Sequence, residues 1–433
     1  MNAATLSIGD ELALGQIDDT NARWLAQQLA SEGVFRDEHR TVSDATGAIE
    51  AAIKDLCRGR ALLVITGGLG PTADDVTRDA LNGCCDPGTP LLEDAEARVA
   101  IEQWFRGRGR RMPPSNLLQA LRPRSAACIA NPHGTAPGLV ATVAGARVFC
   151  LPGPPNEMQP MFTATVLRYL QELGGDVVMP TVAVHSFGEG ESTLAERLGA
   201  LMDRSADPVV GTTASRSIVT ARIRSRGPRA TVFARIDEAA RIIESRWSPY
   251  AYGRDSASLA EVLTTLLREQ RATVAVAESC TGGLLGTMIT DVAGVSDVFA
   301  GGFIAYSNDL KERFARVPRS LLAAHGAVSE PVAGALAQGA RDQAHATWGV
   351  GITGIAGPEG GSAAKPVGTV FMGIAGPDGV RVRRFQFPGD RESVRDRSAK
   401  SALQWLRFVL LARPDTPMLW AYADAPPAER SDS

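Results

Sequence analysis

Short apolar runs that suit buried β-strands recur along the chain, and they alternate with stretches in which apolar residues repeat at helical spacing. In the first third, apolar runs at residues 4–8 and 61–66 alternate with helical patterns at 20–31 and 74–81. Strands that alternate with helices build a parallel sheet covered by helices. The first part of the chain is therefore predicted to have an α/β fold.

The length of 433 residues exceeds that of one typical domain, so we expect several domains. A strand at 146–151 and a helix at 156–173 close the first domain, and a turn-rich stretch at 248–256 precedes a new helix. Prolines near the C-terminus favour disorder there. We predict an α/β domain at 1–172, a small α+β linking module at 173–254, a second α/β domain at 255–413 and a disordered tail at 414–433.

Charge and hydropathy limit the classes of partner. The 45 basic residues nearly balance the 48 acidic ones, and no run of like charge marks a nucleic-acid groove or a membrane surface. No apolar run approaches the roughly 18 residues of a spanning helix, and the N-terminal residues lack a secretory pattern. We expect a cytoplasmic protein that binds small molecules, with neither nucleic acid nor membrane as a partner. The six cysteines lack metal-ligand spacing and are expected to be reduced thiols.

Lysine is scarce in this chain. Of the 45 basic residues only Lys54, Lys311, Lys365 and Lys400 are lysine, and the others are arginine. Arginine does not lose its proton in proteins, whereas a desolvated lysine can act as a base. A lysine near a candidate nucleophile is therefore of particular interest.

The segment 277–283, AESCTGG, follows an apolar run and precedes a helical pattern. Strand-to-helix turns of this kind direct backbone N–H groups outward, where they suit a phosphate or the oxyanion of acyl transfer. A plain helix cap formed by Ser279 or Thr281 is an equally good interpretation.

Further along, Ser296, Tyr306 and Lys311 place a hydroxyl, a phenol and an amine close together in sequence, and no histidine lies among them. A serine without a histidine can be activated by a neutral lysine. A solvated surface lysine is the simpler interpretation of Lys311. Glycine-rich stretches at 351–358 and 360–369 suit either close backbone approach to a ligand or plain turns, and neither has the spacing of a triphosphate-binding loop or a dinucleotide fingerprint.

Seven motifs occur in the order seen in the C-terminal domain of the CinA family: AESCTGG, GVS, FIAYSNDLK, HGAVSEPV, ITGIAGPEGG, KPVGTV and FPGDR. Residues 258–410 therefore resemble that domain. The resemblance implies an α/β amidohydrolase that needs no cofactor and converts nicotinamide mononucleotide to nicotinate mononucleotide and ammonia. It implies Lys311 as the general base, with Ser279 and Ser296 as alternative nucleophiles between which the sequence does not decide.

The same resemblance implies roles for other residues. Tyr306 would assist proton transfer, Thr353 would hold the substrate or its oxyanion, and Arg391 would bind the 5′-phosphate through its guanidinium. Cys280 is expected to be a buried thiol and His325 a structural residue. The implied substrate-binding set is Thr281, Gly282, Thr353, Gly357, Lys365 and Arg391.

In the N-terminal part, the segment 64–75, VITGGLGPTADD, joins a strand, a glycine-rich turn and an acidic stretch. Glycines let a phosphate approach backbone N–H groups, and carboxylates can hold a divalent ion that bridges to it. The simpler alternative is that Asp74 and Asp75 offset a helix dipole, each by about 0.3 to 1 kcal/mol.

Residues 3–170, with GDEL at 9–12 and MPPSN at 112–116, resemble the N-terminal CinA domain. That domain is related to the three-layer molybdopterin-binding fold of MoaB and MogA proteins, and the resemblance implies hydrolysis of ADP-ribose with a divalent ion such as Mg, Mn or Co. Gly67, Gly68 and Gly70 are the implied substrate contacts. The implied metal ligands are Asp10, Asp74, Asp75, Asn156 and Glu157.

Three hypotheses compete at this point: a nucleotide enzyme with two activities, a pterin-binding module, and a noncatalytic scaffold associated with competence. A scaffold needs no set of reactive side chains, and a pterin module leaves the C-terminal half unexplained. The enzyme, acting in pyridine nucleotide salvage, is therefore favoured. A homo-oligomer is expected from the resemblance, and the middle module, which lacks a chemical motif, is interpreted as a spacer or assembly surface.

Overall fold

The computed structural model describes residues 2–173 and 176–422. They divide into two compact units: the first reaches Thr181 and includes Arg224–Ile236, and the second comprises Val182–Ile223 and the chain from Asp237 onward. The predicted α/β class is confirmed. Among the described helices, none has the length and apolar character needed to cross a membrane.

The strands of the described residues are numbered in chain order. They are β1 Asn2–Ile8, β2 Phe35–Val42, β3 Leu62–Thr66, β4 Leu92–Glu93, β5 Leu121–Arg122, β6 Ala127–Ile129, β7 Gly138–Val143, β8 Ala146–Leu151, β9 Val177–Val178, β10 Thr181–Phe187, β11 Val209–Ser215, β12 Ile218–Arg224, β13 Gly227–Pro228, β14 Ala251–Arg254, β15 Val274–Glu278, β16 Phe299–Ile304, β17 Trp348–Gly354, β18 Thr369–Gly376 and β19 Gly379–Gln386.

The α-helices are numbered in the same way. They are α1 Asp10–Ala13, α2 Thr20–Ser31, α3 Thr46–Leu56, α4 Thr77–Cys85, α5 Ala95–Arg106, α6 Pro155–Met161, α7 Leu167–Glu172, α8 Glu191–Leu198, α9 Arg229–Trp247, α10 Leu259–Glu269, α11 Leu284–Thr290, α12 Asn308–Arg313, α13 Arg319–His325, α14 Glu330–Gln343 and α15 Arg391–Leu410. Short 3-10 turns at Pro114–Ala120, Gly199–Met202 and Val295–Asp297, and a π turn at Phe162–Val166, complete the helical segments.

The N-terminal domain contains a six-stranded sheet in the order β2, β1, β3, β8, β7, β6. The first four strands run parallel, and β7 and β6 are antiparallel to their neighbours. Leu63 and Ile65 of β3 belong to one buried apolar cluster, whereas Leu62 and Val64 belong to another. Alternate residues of a strand face opposite sides, so the sheet is covered on both faces.

The helix predicted over 74–81 begins later, at Thr77. The Asp75 carboxylate accepts hydrogen bonds from the backbone N–H groups of Gly70 (2.7 Å) and Thr72 (2.9 Å), and it thereby closes a loop ahead of the helix. The alternative in which Asp74 and Asp75 form the first turn of a helix is therefore wrong. Both carboxylates belong to the loop.

The middle module has a four-stranded sheet in the order β11, β12, β10, β14. In the second compact unit, helix α15 is bonded to this module: Gln404 Nε2 donates to the carbonyl oxygens of Phe187 (2.8 Å) and Tyr250 (3.2 Å). Arg407 Nη2 donates to the Ala251 carbonyl at 2.7 Å, and burial lowers the pKa of Arg407 to about 10. These buried bonds attach the module to the C-terminal helix, and its role as a spacer or assembly surface stays a prediction.

The C-terminal domain contains a five-stranded sheet in the order β16, β15, β17, β18, β19. Strands β16, β15 and β17 run parallel, and β18 and β19 are antiparallel. Helix α15 packs in the core of this domain, and its residues from Ser401 to Phe408 are all buried. The second half of this helix is buried on every side and therefore lacks a polar stripe, which explains why sequence periodicity did not predict it.

The disordered tail predicted from residue 414 is wrong for its first part. Arg383 donates to the carbonyl oxygens of Pro414 (2.5 Å) and Thr416 (2.8 Å), and the side chain of Met418 is buried. These contacts order residues 414–422 against β19. The remaining predicted tail, 423–433, lies outside the described residues.

Candidate active site

The carboxyl ends of three parallel strands bring together most of the residues singled out in the C-terminal domain. Glu278, the last residue of β15, pairs with Ile304 of β16 and with Ile352 of β17. Ser279 follows β15 directly, Tyr306 lies just after β16, and Thr353 is the second-last residue of β17. Since the carboxyl ends of parallel strands share one edge, these side chains lie at the same edge of the sheet.

Lys311 is buried at this edge, with 1% of its surface exposed. It lies on α12, whose first turn is capped by the Ser307 hydroxyl, which accepts from the Leu310 N–H at 3.2 Å. Lys311 Nζ donates to the Tyr306 carbonyl at 3.0 Å, and no carboxylate of the described residues pairs with it. Burial lowers the pKa of Lys311, which favours the neutral amine that a general base requires.

Two nucleophile types lie side by side after β15. Ser279 is 8% exposed, and its N–H donates to the Ile352 carbonyl at 3.0 Å. The neighbouring Cys280 is buried, which raises the pKa of its thiol to about 12, although the Lys311 charge opposes this shift. A thiol with such a pKa remains protonated at neutral pH, which agrees with the buried thiol expected for Cys280.

Ser296 lies away from this group. It occupies the exposed 3-10 turn Val295–Asp297, just before β16 begins. The six residues of β16 span roughly 20 Å at about 3.3 Å each, and Tyr306 follows their far end. Within one chain the structure thus brings Ser279, and not Ser296, to the edge that holds Lys311.

Glu278 is a functional residue that sequence reasoning missed. Its buried carboxylate accepts hydrogen bonds from the N–H groups of Gly283 (3.1 Å), Leu285 (3.0 Å) and Gly286 (2.8 Å). It therefore takes the free donors at the start of α11, and the expectation that these donors face a phosphate or an oxyanion is wrong. The signal was present in the sequence as an acidic residue directly before a strand-to-helix turn.

Thr353 and Lys365 hold a loop at the same edge. Thr353 Oγ1 donates to the Ala327 carbonyl at 2.8 Å. Lys365 Nζ donates to the carbonyl oxygens of Val328 (2.6 Å) and His325 (3.3 Å). Both side chains therefore position the loop at residues 325–328. The hydrogen atoms that they donate to this loop are not available to a substrate.

Two arginines near the start of α15 reach the site. Arg391 donates to the Gly357 carbonyl (2.8 Å) and to the Tyr306 hydroxyl (3.1 Å), and its side chain is exposed enough to meet a ligand. Arg395, which the sequence did not indicate, donates twice to the Thr281 carbonyl, at 2.8 and 3.2 Å. The Thr281 hydroxyl is buried and has no hydrogen-bond partner among the described residues. Helix α15 thus links the AESCTGG loop to the glycine-rich loop at 357.

The N-terminal domain has its own cavity of about 580 Å3, at the carboxyl ends of β1, β3 and β8. The glycine-rich loop forms one wall, and a Cβ atom at Gly67 would overlap the carbonyl oxygen of Ile8. Among the described residues that line the cavity, none is basic and seven are acidic: Glu11, Asp18, Asp19, Asp44, Asp74, Asp75 and Glu157. The cavity is therefore strongly negative.

The five predicted metal ligands do not form one cluster. Asp74, Asp75 and Glu157 line the cavity, whereas Asp10 and Asn156 do not. Asp10 turns to the backbone N–H of residue 44 (3.2 Å), and Asn156 lines a separate groove beside α6. Across residues 2–173 and 176–422, no group of three or more His, Cys, Asp or Glu side chains is arranged to hold a metal ion.

Asp19 lines the same cavity and pairs with His39, a residue of β2 that does not line it. The Asp19 carboxylate caps α2 by accepting a hydrogen bond from the Ala22 N–H at 2.8 Å, as an aspartate at a helix N-terminus commonly does. Its second oxygen lies 3.4 Å from His39 Nε2. Burial opposes ionisation of Asp19, but hydrogen bonds from His39, Ser7 and Ala22 outweigh it and lower its pKa to about 2. No local signal links residues 19 and 39, because β2 brings them together.

Three family models match the chain. They are a CinA C-terminal domain at residues 256–410, a probable molybdopterin binding domain at 4–172, and a damage-inducible protein CinA KH domain at 182–253. The first two agree with the resemblances noted above. The third gives the middle module a domain type that no motif in the sequence had indicated.

Relatives match over nearly the whole chain. A competence-damage inducible protein of Symbiobacterium thermophilum is 40% identical over 428 residues, covering 96% of this chain and 100% of its own. A CinA-like protein of a Synechococcus species is 41% identical, covering 94% and 98%. Among solved structures, a competence/damage inducible protein of Agrobacterium tumefaciens is 37% identical with a TM-score of 0.34, covering 35% of this chain and 93% of its own. The chain belongs to the CinA family.

Proposed function

We propose that the C-terminal domain hydrolyses the carboxamide of nicotinamide mononucleotide to give nicotinate mononucleotide and ammonia. The observation that carries the proposal is the buried Lys311 amine, which has no carboxylate partner among the described residues and lies at the strand edge that carries Ser279. A buried lysine without a counter-charge is costly as an ammonium ion. Such a lysine suits a base in chemistry that has no histidine.

The proposed reaction has two stages. Neutral Lys311 takes the hydroxyl proton of Ser279 while the serine oxygen attacks the carboxamide carbon. The resulting ammonium returns the proton to the leaving nitrogen, so ammonia departs and a nicotinoyl ester remains on Ser279. Water, deprotonated by Lys311, then hydrolyses this ester and regenerates the serine hydroxyl.

The test is ammonia release from nicotinamide mononucleotide by the full-length chain, with chromatography of the nucleotide product. We expect one nicotinate mononucleotide for each ammonia released. Nicotinamide riboside, which lacks the phosphate, should be a poorer substrate. A purified, folded chain that releases no ammonia from the mononucleotide would show that the proposal is wrong.

Arg391 is the proposed contact to the 5′-phosphate, because its exposed guanidinium stands at the site edge beside Tyr306. KM for nicotinamide mononucleotide is expected to be about tenfold or more higher in the Arg391→Met variant, the usual effect of losing one charge-assisted hydrogen bond. The preference for the mononucleotide over the riboside should shrink by the same factor. Arg313→Met, on the surface of α12, is the matched control, and an unchanged preference in the Arg391 variant contradicts this role.

We also propose hydrolysis of ADP-ribose with a divalent cation in the N-terminal cavity. The described lining offers no basic side chain to an anionic pyrophosphate, while its carboxylates suit a hard cation. Burial, together with the charges of Asp10, Glu11 and Asp74, raises the pKa of Asp44, which indicates negative charge in excess. Mg²⁺ commonly uses one or two carboxylates plus substrate phosphates, so a preformed three-ligand cluster is not required. A bound cation would neutralise the pyrophosphate charge.

ADP-ribose hydrolysis is expected to stop on chelation of divalent ions and to return with added Mg²⁺, Mn²⁺ or Co²⁺. Asp74→Asn should lower kcat/KM by about tenfold or more, since Asp74 lines the cavity without being needed to close the 70–75 loop. Lys311→Met serves as the control and should keep this activity. Hydrolysis that continues unchanged in excess chelator would rule out the cation.

A further inference from the structure

A second cavity, of about 490 Å3, lies in the second compact unit, between the middle module and the start of the C-terminal domain. Its walls are largely apolar side chains that otherwise belong to the buried core, among them Phe187, Tyr252, Leu259, Met288 and Leu403. None of the candidate active-site residues lines it. Its size falls in the usual range for small-molecule sites, about 300 to 1,000 Å3.

One wall is flat and rigid. The rings of His185 and Tyr252 stack with their centroids 5.9 Å apart and their planes 25° apart. His185 Nε2 lies 2.7 Å from the Asp255 carbonyl, which only accepts, so Nε2 carries the hydrogen and donates it. Nδ1 then accepts from the Thr220 hydroxyl at 2.9 Å. Because both ring nitrogens have hydrogen-bond partners, the imidazole is held in one orientation, and the wall suits a planar aromatic body.

The lining carries two cationic side chains that an acid group can contact, and one of them, Lys400, is paired with Asp396. Lys400 and Arg216 both line the cavity, and Asp291 is the acidic residue among the described lining. Lys400 Nζ is held in place by the Arg216 carbonyl (3.0 Å) and by Asp396 (2.8 Å). Its side chain is 12% exposed, so the ammonium is fixed beside an apolar space rather than dispersed in solvent.

We propose that this cavity is a binding site for a small planar aromatic acid. The ring system lies against the His185 and Tyr252 wall, and the acid group lies near Lys400 and Arg216. Met288 and Asp291 belong to α11 or its C-terminal end, and Lys400 and Leu403 belong to α15. The occupant therefore touches the two helices whose first turns adjoin the candidate active site. This site is separate from the proposed amidase function and does not depend on it.

The probe is 1-anilinonaphthalene-8-sulfonate, an aromatic acid with a planar naphthalene ring that fluoresces in apolar surroundings, titrated into the folded full-length chain. We expect saturable binding of one probe per chain. Leu403→Trp, which fills the cavity, should weaken binding at least tenfold. Lys54→Met, a surface lysine paired with Glu50 in the other unit, is the control and should bind as wild type. The negative N-terminal cavity disfavours an anionic probe.

The acid preference is tested with N-phenyl-1-naphthylamine, which has the same ring system without the sulfonate. Lys400→Met should weaken binding of the sulfonate by about tenfold, the effect of one charge-assisted contact, and leave the neutral compound unaffected. Equal loss for both compounds would overturn the assignment of the acid group to Lys400.

Methyl NMR of the methionines locates the probe without a core substitution, so it decides the question even if Leu403→Trp does not fold. Met288 lines the cavity, and its methyl resonance, assigned with Met288→Leu, should shift on binding. Met158, buried in the N-terminal domain, should not. A Met288 resonance that stays unchanged at saturation, or normal probe binding by a folded Leu403→Trp protein, would overturn the proposal.

Discussion

The Lys311→Met variant is expected to release ammonia from nicotinamide mononucleotide with a kcat about 10² to 10⁴ times lower than wild type, the usual contribution of a general base. Methionine has a similar length and no basic atom, so the packing of the buried site is kept while the proton acceptor is lost. Steady-state ammonia release measures the effect. Lys54→Met, with its exposed lysine paired to Glu50, is the matched control.

The lowered pKa of Lys311 predicts how the activity and the stability of the wild type depend on pH. Burial lowers the pKa of Lys311, so kcat/KM of the wild type should rise with pH and level off below the ordinary lysine value. The same shift means that the folded state binds this proton less tightly than the unfolded chain, which destabilises the fold below the folded pKa. As the pH rises to the unfolded pKa, that penalty disappears. Lys311→Met should therefore unfold at the same or a higher temperature than the wild type at neutral pH. Near-normal turnover in this variant would contradict the role of Lys311 as the base.

The Ser279→Ala variant is expected to lose ammonia release by a factor on the order of 10³ or more, since a lost nucleophile removes the whole covalent route. Ser296→Ala is the matched control, because the structure places that residue at the opposite edge of the sheet. It should keep most of the wild-type activity. Thermal unfolding of both variants establishes that each is folded.

The reverse result would change the assignment. Full activity in Ser279→Ala together with lost activity in Ser296→Ala would mean that the nucleophile does not lie at the strand edge that holds Lys311 of the same chain. A third variant, Cys280→Ala, should stay active, because burial raises the pKa of this thiol to about 12.

Much of the fold follows from local patterns. The helix predicted over 20–31 forms over Thr20–Ser31, and the strand predicted over 146–151 forms over Ala146–Leu151. Both have alternating or periodic apolar residues and clear ends. Helix α15 and strand β19 were not predicted, since the second half of α15 is buried on all sides and β19 carries polar and half-exposed side chains along most of its length. Whether these two segments form a helix or a strand depends on packing against distant parts of the chain, which the local sequence does not show.

The sequence left the choice between the two serines open, because it did not show that β15 and β16 pair in parallel. Ser279 follows a predicted strand and Ser296 precedes the next parallel one, and parallel strands put those positions at opposite edges. The loop-holding roles of Thr353 and Lys365 were not available, because their partners lie 26 and 37 to 40 residues away along the chain. The same holds for Arg395 and Thr281, which are 114 residues apart.

The most direct test of the central claim is nucleophile trapping during turnover of nicotinamide mononucleotide by the full-length protein. A nicotinoyl ester on Ser279 should partition between water and added hydroxylamine, so the hydroxamate of the mononucleotide should form at the expense of nicotinate mononucleotide. Ser279→Ala should form neither product. Ammonia release that yields nicotinate mononucleotide alone, whatever the hydroxylamine concentration, would contradict the covalent serine mechanism.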